Sequence, residues 1–250
     1  MAEGLDACPN CHNLPMCTNY TPTARDRFRA AQWGVAHLPE TDWPPEIFPG
    51  YTAPILRRSG GSEVANGDLT LELARFGLVP RWSRDAAHAA GIARGTYNAR
   101  SETAAKKPSF AGPWRDLQWA MVPMENYFEY CWESGRAVRW RIQQASGEPF
   151  FCAALWERWR DSGPAANDAT SFTLLTVNAD QHPLGQRMHR PGDEKRMPMI
   201  FDATGLDPWL HATPDKALAM TRLPPPLNLV GEPAPKTSAK VATATTGNLF

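Results

Sequence analysis

The chain has 250 residues, 42% of them hydrophobic, and a formal net charge of zero. That length suits one large domain or two small ones, and the apolar fraction is enough to bury a sizeable core. The charge balance announces neither a nucleic-acid nor a membrane partner, so any basic surface must be local, and the lack of any run of 18 apolar residues excludes a transmembrane helix.

Residues 1–15 read as a polar tail without an apolar period, and without the basic and apolar blocks of a secretory signal. A cytosolic, reducing compartment follows, in which Cys8, Cys11, Cys17, Cys131 and Cys152 are thiols rather than disulfides. Residues 23–33, "TARDRFRAAQW", predict a short helix with Thr23 as N-cap and Phe28, Ala31 and Gln32 following Ala24 at helical spacing. Residues 39–68 are rich in proline and glycine and predict loops around a short strand at "APILRR". "LTLELARFGLVP" predicts a strand ended by Pro80. "RWSRDAAHAAGIARGTYNARSET" predicts a loop with one helical turn. "LQWAMVPMENYFEYCW" predicts two strands with a kink at Pro123, and "AVRWRIQ", "PFFCAALWERW" and "SFTLLTVNA" three more. "RMPMIFD" predicts a last core strand, and "DPWLHAT" a short helix capped by Asp207 with Pro208 at its first position. The 24 prolines agree with short strands and irregular loops. The expected fold is α+β: a single domain with a mainly antiparallel, barrel-like β core and a few short flanking helices. Residues 1–16 are expected to be a disordered or removed extension, 17–222 the working domain, and 223–250 a poorly ordered tail.

Three sets of residues could carry chemistry. "CPNCH" at 8–12 has the spacing of a haem-attachment signature or of half a zinc site, yet neither an export signal nor a second paired knuckle accompanies it. Among the cysteines, Cys152 lies in an apolar run and Cys131 among aromatics, whereas Cys17 precedes the polar "TNYTPT" and is the accessible thiol. The third set is polar residues inside otherwise apolar strands: Asn98, Arg100, Ser101 and Glu102 in "YNARSET", Glu125 and Glu129 in "ENYFEY", and His189 and Arg196 in "RMHRPGDEKRMPMI". Strand alternation puts Tyr127 and Glu129 on one face, Phe128 and Tyr130 on the other.

The ordered set "MC-x-N-Y", "ARFGLVPRW", "YNARSET", "VPMENYFEY", "FFCAALWE", "FTLLTVNA" and "H…RMPMI", running from Cys17 to about His211, resembles the SOS response-associated peptidase family, whose members crosslink to abasic sites in single-stranded DNA. The resemblance implies catalytic residues at Cys17, Asn98, Glu129 and His189. It implies DNA contacts at Asn19, Pro54, Trp82, Arg100, Tyr130, Thr176 and Arg196. It implies single-stranded DNA with abasic sites as partner, a monomer with no cofactor or metal and no membrane, and a cytoplasmic, nucleoid-associated place in the DNA-damage response. Three departures stand out. Cys17 is preceded by sixteen residues where the family has one. Asn19 and Tyr130 stand where the family often has Arg and Trp. "RPGDEK" separates His189 from "RMP", which makes His182 a second candidate for the histidine.

The chemistry fits these residue types. The amine of an N-terminal cysteine can condense with the aldehyde of an opened abasic sugar, and its thiol can then close a thiazolidine ring. An interior cysteine cannot, because its nitrogen is a delocalised amide. Near neutral pH an α-amine (about 7.7–8.0) and a thiol (about 8.5) both supply nucleophile. Glu129 can shuttle protons, His189 can protonate the sugar oxygen, and Asn98 can fix the cysteine. Arginines can bind phosphates bidentately, and Trp82 and Tyr130 can stack on bases. Cys17 becomes terminal either because Met16 is the true initiator or because the domain cuts its own Met16–Cys17 bond. The rival readings are a cysteine peptidase with Cys17 and His189 as nucleophile and base, and a zinc-binding module built on Cys8, Cys11 and His12.

Overall fold

The computed structural model describes residues 19–30, 33–35, 38–59, 69–160, 168–222 and 227–236. Cys8, Cys11, His12, Met16 and Cys17 lie outside them. Among the described residues, eleven strands form one sheet system. They are β1 (Asn19–Pro22), β2 (Thr52–Arg58), β3 (Leu69–Phe76), β4 (Asn98–Arg100), β5 (Trp119–Cys131) and β6 (Val138–Gln144). Then come β7 (Phe150–Trp159), β8 (Ala169–Asn178), β9 (Arg196–Pro198), β10 (Ile200–Phe201) and β11 (Leu229–Pro233). Pairing runs β7–β8–β3–β2–β5 and returns from β5 to β7, so these five strands close into a barrel. The pairs are antiparallel except β3–β8 and β4–β8, which are parallel. Closure leaves these strands without free edges. Six short α-helices among the described residues flank them: α1 (Arg25–Ala30), α2 (Ala86–Ala93), α3 (Ser101–Ala104), α4 (Pro108–Arg115), α5 (Leu206–Leu210) and α6 (Pro214–Met220). The α+β, barrel-like architecture is the one expected.

Several elements depart from the sequence reading. "LQWAMVPMENYFEYCW" is one strand of 13 residues, not two. Pro123 marks a change of partner instead of a kink: residues 119–124 pair with β7 and residues 126–131 with β6, while β1 lies along 124–128. With neighbours all around it, β5 is buried on nearly every residue, Tyr127 and Phe128 alike, which obscures the two-face alternation. "RMPMIFD" divides into β9, which pairs with β8, and β10, which pairs with β7. The stretch from 81 to 103 contains the full helix α2, capped by the Asp85 carboxylate accepting from His88 N at 2.7 Å, and β4. Helix α4 has Pro108 in its first turn. Thr23 does not cap α1: its amide donates to Pro123 O at 3.1 Å and ties the chain to β5, and the helix starts two residues later. Gly205 precedes α5, so Asp207 and Pro208 lie inside it. Beyond residue 222, β11 extends the sheet along β6.

Cys152 has no exposure, and burial pushes its thiol far up. Cys131 is 3% exposed and shifted upward, again mainly by burial. Both are core thiols unsuited to nucleophilic attack. No helix among the described residues is long and apolar enough to cross a membrane. No group of three or more His, Cys, Asp or Glu among them is placed to hold a metal.

Candidate functional site

The site is built where β5, β4, β8 and β9 converge. Glu129, near the end of β5, is 6% exposed. Its Oε1 accepts from the Tyr130 amide at 3.2 Å and lies 3.8 Å from His189 Nδ1. His189 precedes β9 and adopts φ +62°, a left-handed conformation rare for a side chain of this size. Two bonds hold it there: its amide donates to Tyr130 O at 2.8 Å, and its Nε2 is 2.8 Å from Arg196 O. A carbonyl only accepts, so Nε2 carries a hydrogen. In the neutral ring Nδ1 therefore presents a lone pair to Glu129. The pair, 3.8 Å apart and so beyond direct hydrogen-bond reach, sets an imidazole beside a carboxyl group, two residue types able to move protons to and from a reacting group.

Arg196 anchors this histidine from beneath. It is 2% exposed. Its Nη2 donates to Thr176 O at 2.7 Å and to Glu102 Oε2 at 2.8 Å, its Nη1 to Glu194 Oε1 at 2.6 Å, and its Nε to Thr176 Oγ1 at 3.2 Å. Glu194 Oε2 in turn meets Arg100 Nη1 at 2.7 Å. The hydrogen bond from Arg196, with the charges of Arg196 and Arg100 behind it, holds the Glu194 carboxyl below the usual carboxylate range. Arg100 sits opposite Thr176 in the parallel β4–β8 ladder, and Asn98 sits two residues before it on the same strand. Half of the Arg100 side chain is open to solvent.

The expected site residues therefore divide. Glu129, Tyr130, His189, Arg196, Thr176 and Arg100 are joined through these hydrogen bonds, ion pairs and strand registers, with Asn98 on the β4 strand that carries Arg100. Among the described residues, no hydrogen bond or ion pair joins Pro54 or Trp82 to them. Pro54 is buried on β2 opposite Leu73. Trp82 is 50% exposed, with its indole N–H donating to Pro108 O at 3.3 Å. Asn19 is 5% exposed and its amide donates to Glu46, which also accepts from Arg139. His182 serves its own turn, where Nδ1 accepts from the amides of Leu184 and Gly185, and burial lowers its basicity. The histidine facing Glu129 is His189.

A family model described as SOS response associated peptidase (SRAP) matches residues 16–236, which takes in all of these residues. The chain belongs to the SRAP family. The abasic site processing protein YoqW of Bacillus subtilis is 28% identical over 138 residues, covering 55% of this SRAP chain and 55% of YoqW. Abasic site processing protein YoaM of the same organism is 31% identical over 138 residues, with the same shares. The chain spans about half the length of these relatives. Among solved structures, a protein from Bordetella bronchiseptica is similar with a TM-score of 0.76 at 29% identity, covering 88% of this chain and 100% of that one. A protein from Bacteroides thetaiotaomicron, at 21% identity and a TM-score of 0.72 over 86% and 90% of the two chains, shows the fold alone.

Two carboxylates and one arginine of the SRAP chain, Glu46, Glu194 and Arg139, escaped the sequence reading as parts of this region, whereas Glu102 stands among its candidates in "YNARSET". Glu46 lies in a proline-rich loop that comes to β1 through two backbone bonds between Tyr20 and Ile47. Arg139 lies on β6, stacked over the Phe128 ring at 3.4 Å from its centroid. Glu102 and Glu194 both pair with Arg196, on Nη2 and Nη1 respectively. Of Glu46, Arg139 and Glu194, only Glu194 left a trace in the sequence: it belongs to the stretch that separates His189 from "RMP".

Proposed function

We propose that this protein processes abasic sites in single-stranded DNA by covalent capture, with Cys17 as its N-terminal residue. The observation that carries the reading is the Glu129–His189 pair, largely buried and 3.8 Å apart. The start of β1 supports it. Asn19 pairs with Phe128, the residue before Glu129, and Cys17 lies two positions before Asn19. The proposed chemistry needs the Cys17 amine and thiol at this end of β5, and two extended residues span at most about 7 Å. The amine attacks the aldehyde of the opened sugar, and loss of water forms an imine. The thiol adds to the imine carbon and transfers its proton to nitrogen, which closes the thiazolidine. Glu129 and His189 move the protons these steps require, and His189 protonates the ring oxygen as the sugar opens. Asn98 fixes the cysteine. The half-exposed Arg100 holds a flanking phosphate, whereas Arg196 positions the His189 backbone instead of meeting DNA. Trp82 and Tyr130 supply faces for neighbouring bases. The names of YoqW and YoaM as abasic site processing proteins agree with this substrate.

The test is intact mass after incubation with a single-stranded oligonucleotide carrying one abasic site. Protein beginning at Cys17 is expected to gain the mass of the strand less one water. A verified, uncut 250-residue chain is expected to gain nothing until Met16–Cys17 is opened. Equal crosslinking by the uncut chain, or by Cys17→Ala as stably as by wild type, overturns the reading.

A further inference from the structure

The short segment between His189 and Arg196 does more than connect them. Its ends are joined by His189 Nε2 and Arg196 O at 2.8 Å. Lys195 Nζ braces it by donating to the carbonyls of His189 and Arg190 at 3.1 and 2.9 Å. A turn closes it, with Asp193 N on Arg190 O at 3.1 Å and Gly192 at φ +89°. This frame places Glu194 with one oxygen on each of two guanidinium groups, Arg196 inside and Arg100 outside. The two arginines differ in what remains without Glu194. Arg196 keeps Glu102 and both Thr176 oxygens. Arg100 has no other ion pair among the described residues.

We propose that Glu194 is a tethered counter-anion that occupies Arg100 in the free protein and must yield that position to a DNA phosphate. This rests on the reading of Arg100 as a phosphate contact. A carboxylate oxygen held 2.7 Å from the guanidinium presents the same negative charge as a phosphodiester oxygen, and it is always present. Each backbone phosphate therefore competes with an internal anion, so non-covalent binding to any single strand is weak. Glu194 need not leave the site, because its other oxygen stays on buried Arg196. Undamaged strands, which offer no aldehyde, then dissociate quickly, and lasting retention comes from the covalent step alone. Glu194 thus sets the discrimination between damaged and undamaged strands without touching the lesion.

The experiment is fluorescence anisotropy at low salt with a short labelled strand carrying tetrahydrofuran, an abasic analogue that cannot open to an aldehyde, and with its undamaged counterpart. Glu194→Gln is expected to bind both strands about three- to fivefold more tightly than wild type, the scale of one exposed ion pair. The gain is expected to vanish in an Arg100→Ala background. Glu194→Asp keeps the charge but is one methylene too short to span both arginines, and it is expected to show a smaller gain. Glu194→Gln with unchanged or weaker affinity while folded, or a gain that persists without Arg100, overturns the proposal. If Glu194→Gln does not fold, the Asp variant decides in the same way. Wild-type protein that crosslinks a true abasic strand while Glu194→Gln binds no better leaves the function standing and removes Glu194. Wild-type protein that neither binds nor crosslinks removes both.

Discussion

Arg196 and Arg100 illustrate how two arginines in one neighbourhood acquire different work from burial alone. Arg196 is sealed, and its charge is matched by Glu102 and Glu194. Removing one member of such a set leaves the others uncompensated. Arg196→Ala is therefore expected to cost about 3 kcal/mol, a fall of about 10 °C in melting temperature for a chain this long. It is also expected to slow crosslinking, because the carbonyl that orients His189 moves with it. Arg100 is open to solvent, and its single ion pair contributes little to stability. Arg100→Ala is expected to leave the melting temperature within about 2 °C and to flatten the slope of log affinity against log salt by about 0.7. Thermal melts and salt titrations on the two variants separate the roles. An unchanged salt slope with a lowered melting temperature for Arg100→Ala takes it out of the DNA contact.

At the level of elements, the site depends on strands arriving together from distant parts of the chain. β1 is a four-residue strand, yet it is fastened on both sides: by β5, and by the loop that brings Ile47 to Tyr20 and Glu46 to Asn19. That clasp fixes the backbone of β1, where Asn19 lies opposite Phe128, beside the stretch of β5 that carries Glu129. A second critical junction is Gly77, at the end of β3. Its φ is +118°, and a Cβ there would lie 2.5 Å from Ala93 O at the end of α2. The clash is with backbone, which cannot rotate aside, and the conformation itself disfavours any side chain. Gly77→Ala is expected to destabilise the fold by about 3 kcal/mol in a denaturant titration. A loss below about 1 kcal/mol would show that β3 and α2 separate freely.

The described residues are organised around a closed five-stranded barrel whose wall is pinned by charge. Glu72 of β3 accepts from Arg57 of β2 and from Thr170 of β8 at 2.7 Å, and meets Arg158 of β7 at 3.5 Å, so one carboxylate joins four neighbouring strands. Burial alone would raise its affinity for protons, but the hydrogen bond from Thr170 and the charge and hydrogen bond of Arg57 outweigh it and hold Glu72 below its ordinary value. The unfolded chain then takes up this proton before the folded one. The stability Glu72 contributes is complete above the ordinary carboxylate value, about 4.3, and is lost as pH falls through the lower folded value. Glu125 works in the opposite sense, since burial raises its proton affinity and favours the folded state as it protonates. Denaturation midpoints are expected to fall from about pH 5 to about pH 3, with a shallower decline in Glu72→Gln. An identical decline in the variant would show that Glu72 bears none of the acid sensitivity.

The amino-acid sequence by itself determined the class of fold, because β-branched and aromatic runs bounded by proline and glycine admit little besides short strands. It also determined the family, because seven short motifs in one order identify it where each alone does not. It singled out Glu129, His189 and Arg196, since charged groups inside apolar strands announce themselves by their surroundings. The tertiary structure decided what each of these groups faces. That β5 is one strand paired with β1, β2, β6 and β7 follows from barrel closure, a long-range fact with no local signature. That His189 and not His182 meets Glu129 depends on a left-handed backbone turn and a carbonyl seven residues away. That Arg196 is sealed while Arg100 stays open was invisible in a sequence that shows two similar arginines beside two similar motifs. Glu102 and Glu194 stand 92 residues apart, and only the folded chain sets both carboxylates against one buried guanidinium. Pairing of charge is settled by distance in space, which residue order does not encode.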